Sequence, residues 1–110
     1  MYTVIYWILH QPEFLGEDIR HTDLVNVDVV NVVQAVLEIS ERHRVQSGVD
    51  LDWHPPVEGP VWVRAGEVRL QQVVLNLVTN AIDAMEECEN RILKLRISQD
   101  GDGTVSLSVG

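Results

Sequence analysis

Two asparagines, Asn76 and Asn80, are the residues whose type and spacing point most directly to chemistry in this chain. They lie four residues apart in the stretch 67–85, EVRLQQVVLNLVTNAIDAM, whose pattern predicts one helix with both carboxamides on the same face. Their neighbours are almost all apolar, and a carboxamide buried there without a partner would cost about 1–3 kcal/mol. We therefore expect the two amides to share a partner, such as a bound polar ligand or a metal ion. The alternative is that they are solvated at the surface or are satisfied by the backbone.

A helical projection of this stretch separates a broad apolar face from a narrow polar stripe. The stripe covers roughly a quarter to a third of the circumference, less than on an ordinary surface helix, so we expect it to face a cleft while the helix packs on a sheet. The polar stripe consists of Arg69, Gln72, Asn76, Thr79, Asn80 and Asp83. The predicted apolar face consists of Leu70, Val73, Val74, Leu77, Ala81, Ala84 and Met85, extended at one flank by Val68, Leu75 and Ile82.

The longer pattern E-x-R-L-x-Q-V-x-x-N-L-x-x-N-A-x-D-A-M resembles the N box of sensor histidine kinases, a helix of their ATP-binding catalytic domain. It is most similar to the soluble catalytic regions of sensors such as the C4-dicarboxylate type. The resemblance extends over residues 27–110 and does not include the N-terminal segment. The matching residues are Glu67, Arg69, Leu70, Gln72, Val73, Asn76, Leu77, Asn80, Ala81, Asp83, Ala84 and Met85.

The resemblance implies roles for four residues of the polar stripe. Asn80 matches the asparagine whose side-chain oxygen ligates the Mg²⁺ of Mg-ATP, and Mg²⁺ is a hard ion that takes oxygen ligands. Asn76 matches a residue near the phosphates; related ATPases carry a water-activating glutamate there, and an amide cannot act as a general base. Thr79 and Asp83 would position the triphosphate or a metal-bound water, although Asp83 also fits a solvated surface acid. No residue is assigned a catalytic role, because phosphoryl transfer depends mainly on positioning and charge neutralisation.

The order helix, strand, strand, helix, strand, strand predicts an α+β fold, a two-layer α/β sandwich with helices on one face of a mostly antiparallel sheet. The resemblance implies the same arrangement, the Bergerat fold of the histidine kinase catalytic domain. Asp28 is the predicted N-cap of a helix over about residues 29–44, with a strand over 25–33 as the competing interpretation. The residues at helical spacing on its predicted inward face are Val29, Val32, Val33, Val36, Leu37 and Ser40. The predicted strands lie at residues 19–25, 49–53, 61–63, 91–98 and 104–109, the last two joined by a turn at 100–103. Alternation in these last two strands predicts that one face is formed by Leu93, Leu95 and Ile97, and by Val105, Leu107 and Val109.

The two ends of the chain have different characters. Residues 1–26 form an N-terminal segment outside the resemblance, with an apolar start that is much shorter than a membrane span of about 20 residues. We expect a short strand or helix there, followed by a turn-rich linker at 10–16. At the other end, Gly110 stands where the family continues into D-x-G-x-G, the adenine-binding motif. Residues 27–110 are therefore expected to form a partial, incomplete catalytic domain.

Composition limits the classes of partner. The formal net charge of −9 argues against binding to nucleic acid or to an anionic membrane. A chain of 110 residues that is 45% hydrophobic suits one domain with a buried core. The single cysteine, Cys88, excludes an internal disulfide and fits a reducing, cytoplasmic compartment. None of the histidines matches a phosphoacceptor motif, so each is interpreted as a surface or structural residue: His10, His21, His43 and His54.

These observations predict a fragment of a two-component sensor histidine kinase that carries the phosphate-binding half of the Mg-ATP site. The complete protein would phosphorylate a histidine, with a histidine-phosphotransfer domain and a response regulator as partners. This chain alone is expected to be inactive and to bind ATP weakly or not at all. The uncovered sheet edge of a partial domain would favour homo-oligomers. The alternative is a non-catalytic interaction or dimerisation module that keeps the fold without nucleotide binding; Asn76 disfavours a different ATPase of the same superfamily.

Overall fold

The computed structural model describes residues 3–7, 25–57, 59–99 and 105–110, the first of these ranges through its backbone alone. A four-stranded sheet has the order β1-β6-β5-β3, and β2 pairs with β4 in a two-stranded sheet. All described strand pairs are antiparallel except β3–β5, which is parallel. The predicted α+β architecture of helices on a mostly antiparallel sheet is confirmed. The elements are β1 (Thr3–Trp7), β2 (Val25–Asp28), α1 (Val29–Ile39), α2 (Glu41–Gln46), β3 (Asp50–Trp53), β4 (Trp62–Ala65), α3 (Glu67–Ala84), β5 (Ile92–Gln99) and β6 (Val105–Val109).

Helix α1 begins at the predicted N-cap. The side-chain Oδ1 of Asp28 accepts hydrogen bonds from the backbone N–H groups of Val30 and Val61, both at 3.0 Å. One carboxylate oxygen therefore satisfies an orphan donor of the first helical turn and also holds the residue that precedes β4. The competing strand over 25–33 is wrong beyond residue 28, because the capped helix starts there.

The predicted single helix over 29–44 is wrong at Ser40, where α1 ends and α2 begins. The Ser40 hydroxyl donates to the carbonyl of Val36 at 2.8 Å, and the Ser40 backbone has a ψ of 2°, far from the helical value. A buried hydroxyl that bonds one turn back bends a helix at that point. The short α2 that follows has no buried residue, so packing contributes little to its position.

The core lies between α1, α3 and the inward face of the four-stranded sheet. The alternation predicted for the last two strands is confirmed, because every second residue of β5 and β6 points inward. The buried or partly buried residues of these two faces are Leu93, Leu95, Ile97, Val105, Leu107 and Val109. From α1 the predicted inward face is also confirmed, with Val29, Val32, Val33, Val36 and Ser40 buried and Leu37 partly buried.

The buried face of α3 differs in part from the predicted one. Val78, which the predicted face omits, is fully buried at 0% exposure, whereas Ala84 and Val68 are exposed. The face is rotated toward Val78 and Ile82, because α3 packs against α1 as well as against β5 and β6. The buried residues are Leu70, Val74, Val78, Ala81 and Ile82.

Several predictions for the ends of the chain lie outside the described residues. These are the linker at 10–16, the turn at 100–103, and the strand at 19–25 except for Val25, which begins β2. The backbone of Thr3–Trp7 forms strand β1, which pairs along its whole length with β6. A strand was one of the two forms expected for the apolar start. The division of the chain near residue 26 stays a prediction.

Candidate functional site

Helix α3 positions the polar stripe by burying the opposite side of the helix. Val74, Val78 and Ile82 are each at most 1% exposed. Burying such side chains contributes about 1.5–3 kcal/mol each, which fixes the rotation of the helix about its axis. The stripe is consequently turned away from the core along the whole helix.

The two asparagines of the stripe are solvent-exposed. Within the described part of the chain, neither the Asn76 nor the Asn80 carboxamide makes a side-chain hydrogen bond. Of the alternatives for these amides, the structure shows the solvated one, since the helix turns this side outward, and no desolvation cost requires a ligand. The same exposure leaves two carboxamide oxygens and two NH₂ groups available, on one face and four residues apart.

Thr79 is half-buried and its hydroxyl is used within its own helix. Thr79 Oγ1 lies 3.0 Å from the carbonyl oxygen of Leu75 and 3.2 Å from that of Asn76. The hydroxyl proton is thus donated to the backbone one turn back, as threonine commonly does in helices. The oxygen keeps its lone pairs, so Thr79 remains an acceptor toward the stripe and not a donor.

Asp83, at the C-terminal end of the stripe, is paired with a histidine from another helix. His43 Nε2 on α2 lies 2.8 Å from Asp83 Oδ1, and both side chains are exposed. Because an ionised carboxylate only accepts hydrogen bonds, the proton of this bond is on Nε2. Sequence reasoning missed this pairing: the two residues are 40 positions apart, and no motif marks His43.

The loop after α3 is held by one guanidinium. Arg91 donates from Nε to the carbonyl of Cys88 at 3.0 Å, from Nη2 to that of Glu86 at 2.6 Å, and from Nη1 to that of Ser47 at 2.8 Å. Ser47 directly follows α2, so this side chain joins the ends of α2 and α3. The contact fixes the two helix ends near which His43 and Asp83 lie.

A second polar cluster lies on the sheet, around Asp52 of β3. Arg96 Nη2 is 3.1 Å from Asp52 Oδ2, and His54 Nε2 is 3.1 Å from Asp52 Oδ1. The hydrogen bond from Arg96 lowers the pKa of Asp52 below its ordinary value, aided by the positive charges of Arg96, His54 and Lys94. This carboxylate is held by a permanent cation across the β3–β5 pair, so its role is structural.

The stripe carries carboxamide oxygens, a donor type that hard cations such as Mg²⁺ accept. Within the described residues, no group of three or more His, Cys, Asp or Glu side chains could hold a metal ion. Mg²⁺ usually keeps several waters and takes one or two protein oxygens together with substrate phosphates. A single exposed carboxamide oxygen, that of Asn80, is compatible with this chemistry. In the same part of the chain, no helix is both long and apolar enough to cross a membrane.

Comparison with known proteins gives one relationship in sequence and one in fold. No family model matches the chain. The C4-dicarboxylate transport sensor protein DctB of Pseudomonas aeruginosa is 38% identical over 79 residues, which cover 71% of this chain and 13% of that protein. The chain thus corresponds to a small part of the curated relative. The cytoplasmic segment of histidine kinase QseC has a similar structure, with a TM-score of 0.51, 10% identity, and coverage of 88% of this chain and 89% of that one. At this identity the second similarity shows the fold alone.

Proposed function

We propose that α3 is the phosphate-binding helix of an ATP-binding catalytic domain; the sequence relationship to the sensor protein DctB and the fold shared with a histidine kinase segment support this. One observation carries the proposal. Asn76 and Asn80 stand exposed on a single helix face, at the two asparagine positions of the N-box pattern, and neither has a side-chain partner among the described residues. Their exposure leaves both carboxamides accessible to a ligand that lies along this face.

Each amide has a distinct task in this proposal. Asn80 would offer its side-chain oxygen to Mg²⁺, and the ion would supply positive charge that offsets the phosphates. Asn76, one turn earlier, would donate its NH₂ to a phosphate oxygen. Neither amide accepts a proton from water, so the two amides would position a phosphoryl group without promoting its hydrolysis. The buried side of α3 keeps both amides in register.

The wider proposal concerns the protein to which such a domain belongs. The γ-phosphate of ATP would pass to a histidine on a phosphotransfer domain and then to a response regulator. The chain itself would supply nucleotide binding and orientation, and no residue of α3 would form a covalent intermediate.

A titration followed by NMR tests the binding proposal. The probe is a non-hydrolysable ATP analogue with Mg²⁺, raised to millimolar concentration so that weak binding is also detected. We expect saturable shifts of the Asn76 and Asn80 side-chain NH₂ resonances, and loss of the Asn76 shift in Asn80→Ala. The matched control is Asn31→Ala, the same substitution at an exposed asparagine of α1.

Two results would contradict the proposal. The first is the absence of shifts along the stripe at any concentration of the analogue. The second is equal binding by Asn80→Ala and Asn31→Ala, which would show that the Asn80 amide takes no part.

A further inference from the structure

We propose that His43 is a positioning residue of the polar stripe: it holds the Asp83 carboxylate and offsets its negative charge, so that a polyphosphate can lie against Asn76 and Asn80. This inference rests on the proposed function. It adds to the site a residue of a different helix, α2, which the N-box pattern does not include.

The position of Asp83 creates the need for an offsetting group. Asp83 lies three residues beyond Asn80 and seven beyond Asn76, on the same helix face. A carboxylate there would repel phosphate oxygens bound at the two amides. It also lies in the last turn of α3, where the helix dipole is negative and disfavours acids.

Helix α3 has no positively charged side chain in its last turn that could offset the charge of Asp83. The loop that follows adds Glu86, Glu87 and Glu89. Among the described residues, the ion pair of Asp83 is the one with His43. The Arg91 guanidinium bonds backbone carbonyls after the helix, so it is the imidazole that supplies a donor, and when doubly protonated a positive charge, at the Asp83 carboxylate itself.

The location of His43 depends on polar contacts and not on packing. No residue of α2 is buried. The other described side-chain hydrogen bond from α2 is that of Arg44, which donates to the carbonyl of Val49 just beyond the helix. Of the two, the His43 bond is the one that reaches α3, so α2 presents this histidine to the end of the stripe.

A set of variants tests the inference with the Mg²⁺–nucleotide analogue as probe and the Asn76 side-chain shift as the measure of affinity. We expect His43→Ala to weaken binding about threefold, in the range of an exposed charge pair. Asp83→Asn in the His43→Ala background should restore binding, because the uncompensated charge is then gone. The matched control is His54→Ala, since His54 is also exposed and also paired with a carboxylate, Asp52.

The double variant separates charge compensation from a structural role. If His43 merely docked α2, the double variant would bind as weakly as His43→Ala, because the bond is absent in both. That result, or equal affinity of His43→Ala and His54→Ala, would overturn the inference while the proposed function stands. Absence of binding by the unaltered chain would instead overturn the proposed function, and the inference with it.

Discussion

The two sides of α3 carry different properties of the molecule. The inward side holds Val74, Val78 and Ile82 with almost no exposed surface, whereas the outward side holds Asn76 and Asn80 in solvent. Burial makes the first side contribute to folding stability, and exposure leaves the second free to interact. Substitutions on the two sides should therefore affect different measurements, although they lie within one turn of each other.

The largest expected effect is on the inward side. Ile82→Ala should lower the free energy of unfolding by about 2–5 kcal/mol, because it removes buried methyl groups and leaves a cavity. Urea unfolding followed by circular dichroism measures this change. Val68→Ala, on the same helix but 67% exposed, is the matched control and should change stability by less than about 0.5 kcal/mol. Equal effects of the two substitutions would contradict the assignment of the buried face.

A smaller loss is expected where polar contacts fix the end of the helix. Arg91→Met should lower stability by about 1–2 kcal/mol, since the three carbonyls that Arg91 contacts would lose their donor. The midpoint of thermal unfolding measures this loss of stability. Arg42→Met, at an exposed arginine of α2, should leave the midpoint nearly unchanged. If the two variants have the same unfolding midpoint, the hydrogen bonds of the Arg91 guanidinium do not stabilise the fold.

Substitutions on the outward side of α3 should have almost no effect on stability in the same assays. Asn76→Ala and Asn80→Ala should each change the free energy of unfolding by no more than about 0.5 kcal/mol, and alanine's higher helix propensity favours a slight gain. Unfolding curves in urea should superimpose on that of the unaltered chain. A loss well above 1 kcal/mol, roughly the net value of one hydrogen bond, would show that the amides hold the fold and would remove the contrast between the sides.

The smallest expected effect is the pH dependence of the stability that the polar cluster around Asp52 contributes. Because Arg96 lowers the folded-state pKa of Asp52 below its ordinary value of 3.8, its ionised form favours folding. The contribution is complete above the unfolded-state pKa and is lost as pH falls through the lower folded-state value. The stability difference between the unaltered chain and Asp52→Asn should therefore shrink between about pH 7 and about pH 3. A difference that is constant or grows on acidification would contradict this sign.

Local signals predicted several features correctly. The start of α3 at Glu67, the N-cap at Asp28 and the inward residues of β5 and β6 follow from periodicity and capping, which depend on near neighbours in sequence. The Ser40 break was not predicted, because apolar spacing continues through it and the deviation comes from a side-chain bond to the backbone.

Contacts between residues that are distant in sequence could not be predicted from local sequence patterns. The parallel pairing of β3 with β5 depends on which edges meet after folding. The His43–Asp83 contact depends on how α2 lies against α3, which no spacing rule specifies. The exposure of Asn76 and Asn80 could not be decided from the sequence for a related reason: apolar neighbours along the sequence do not determine which side of a helix the rest of the protein covers.

The shared oxygen of Asp28 has a consequence for local opening. The same atom accepts the amide protons of Val30, at the start of α1, and of Val61, just before β4. Release of that carboxylate would expose both amides at once, although they belong to distant parts of the sequence. Their hydrogen-exchange rates should therefore respond together to a single fluctuation, close to the strand that leads through Gly66 into α3.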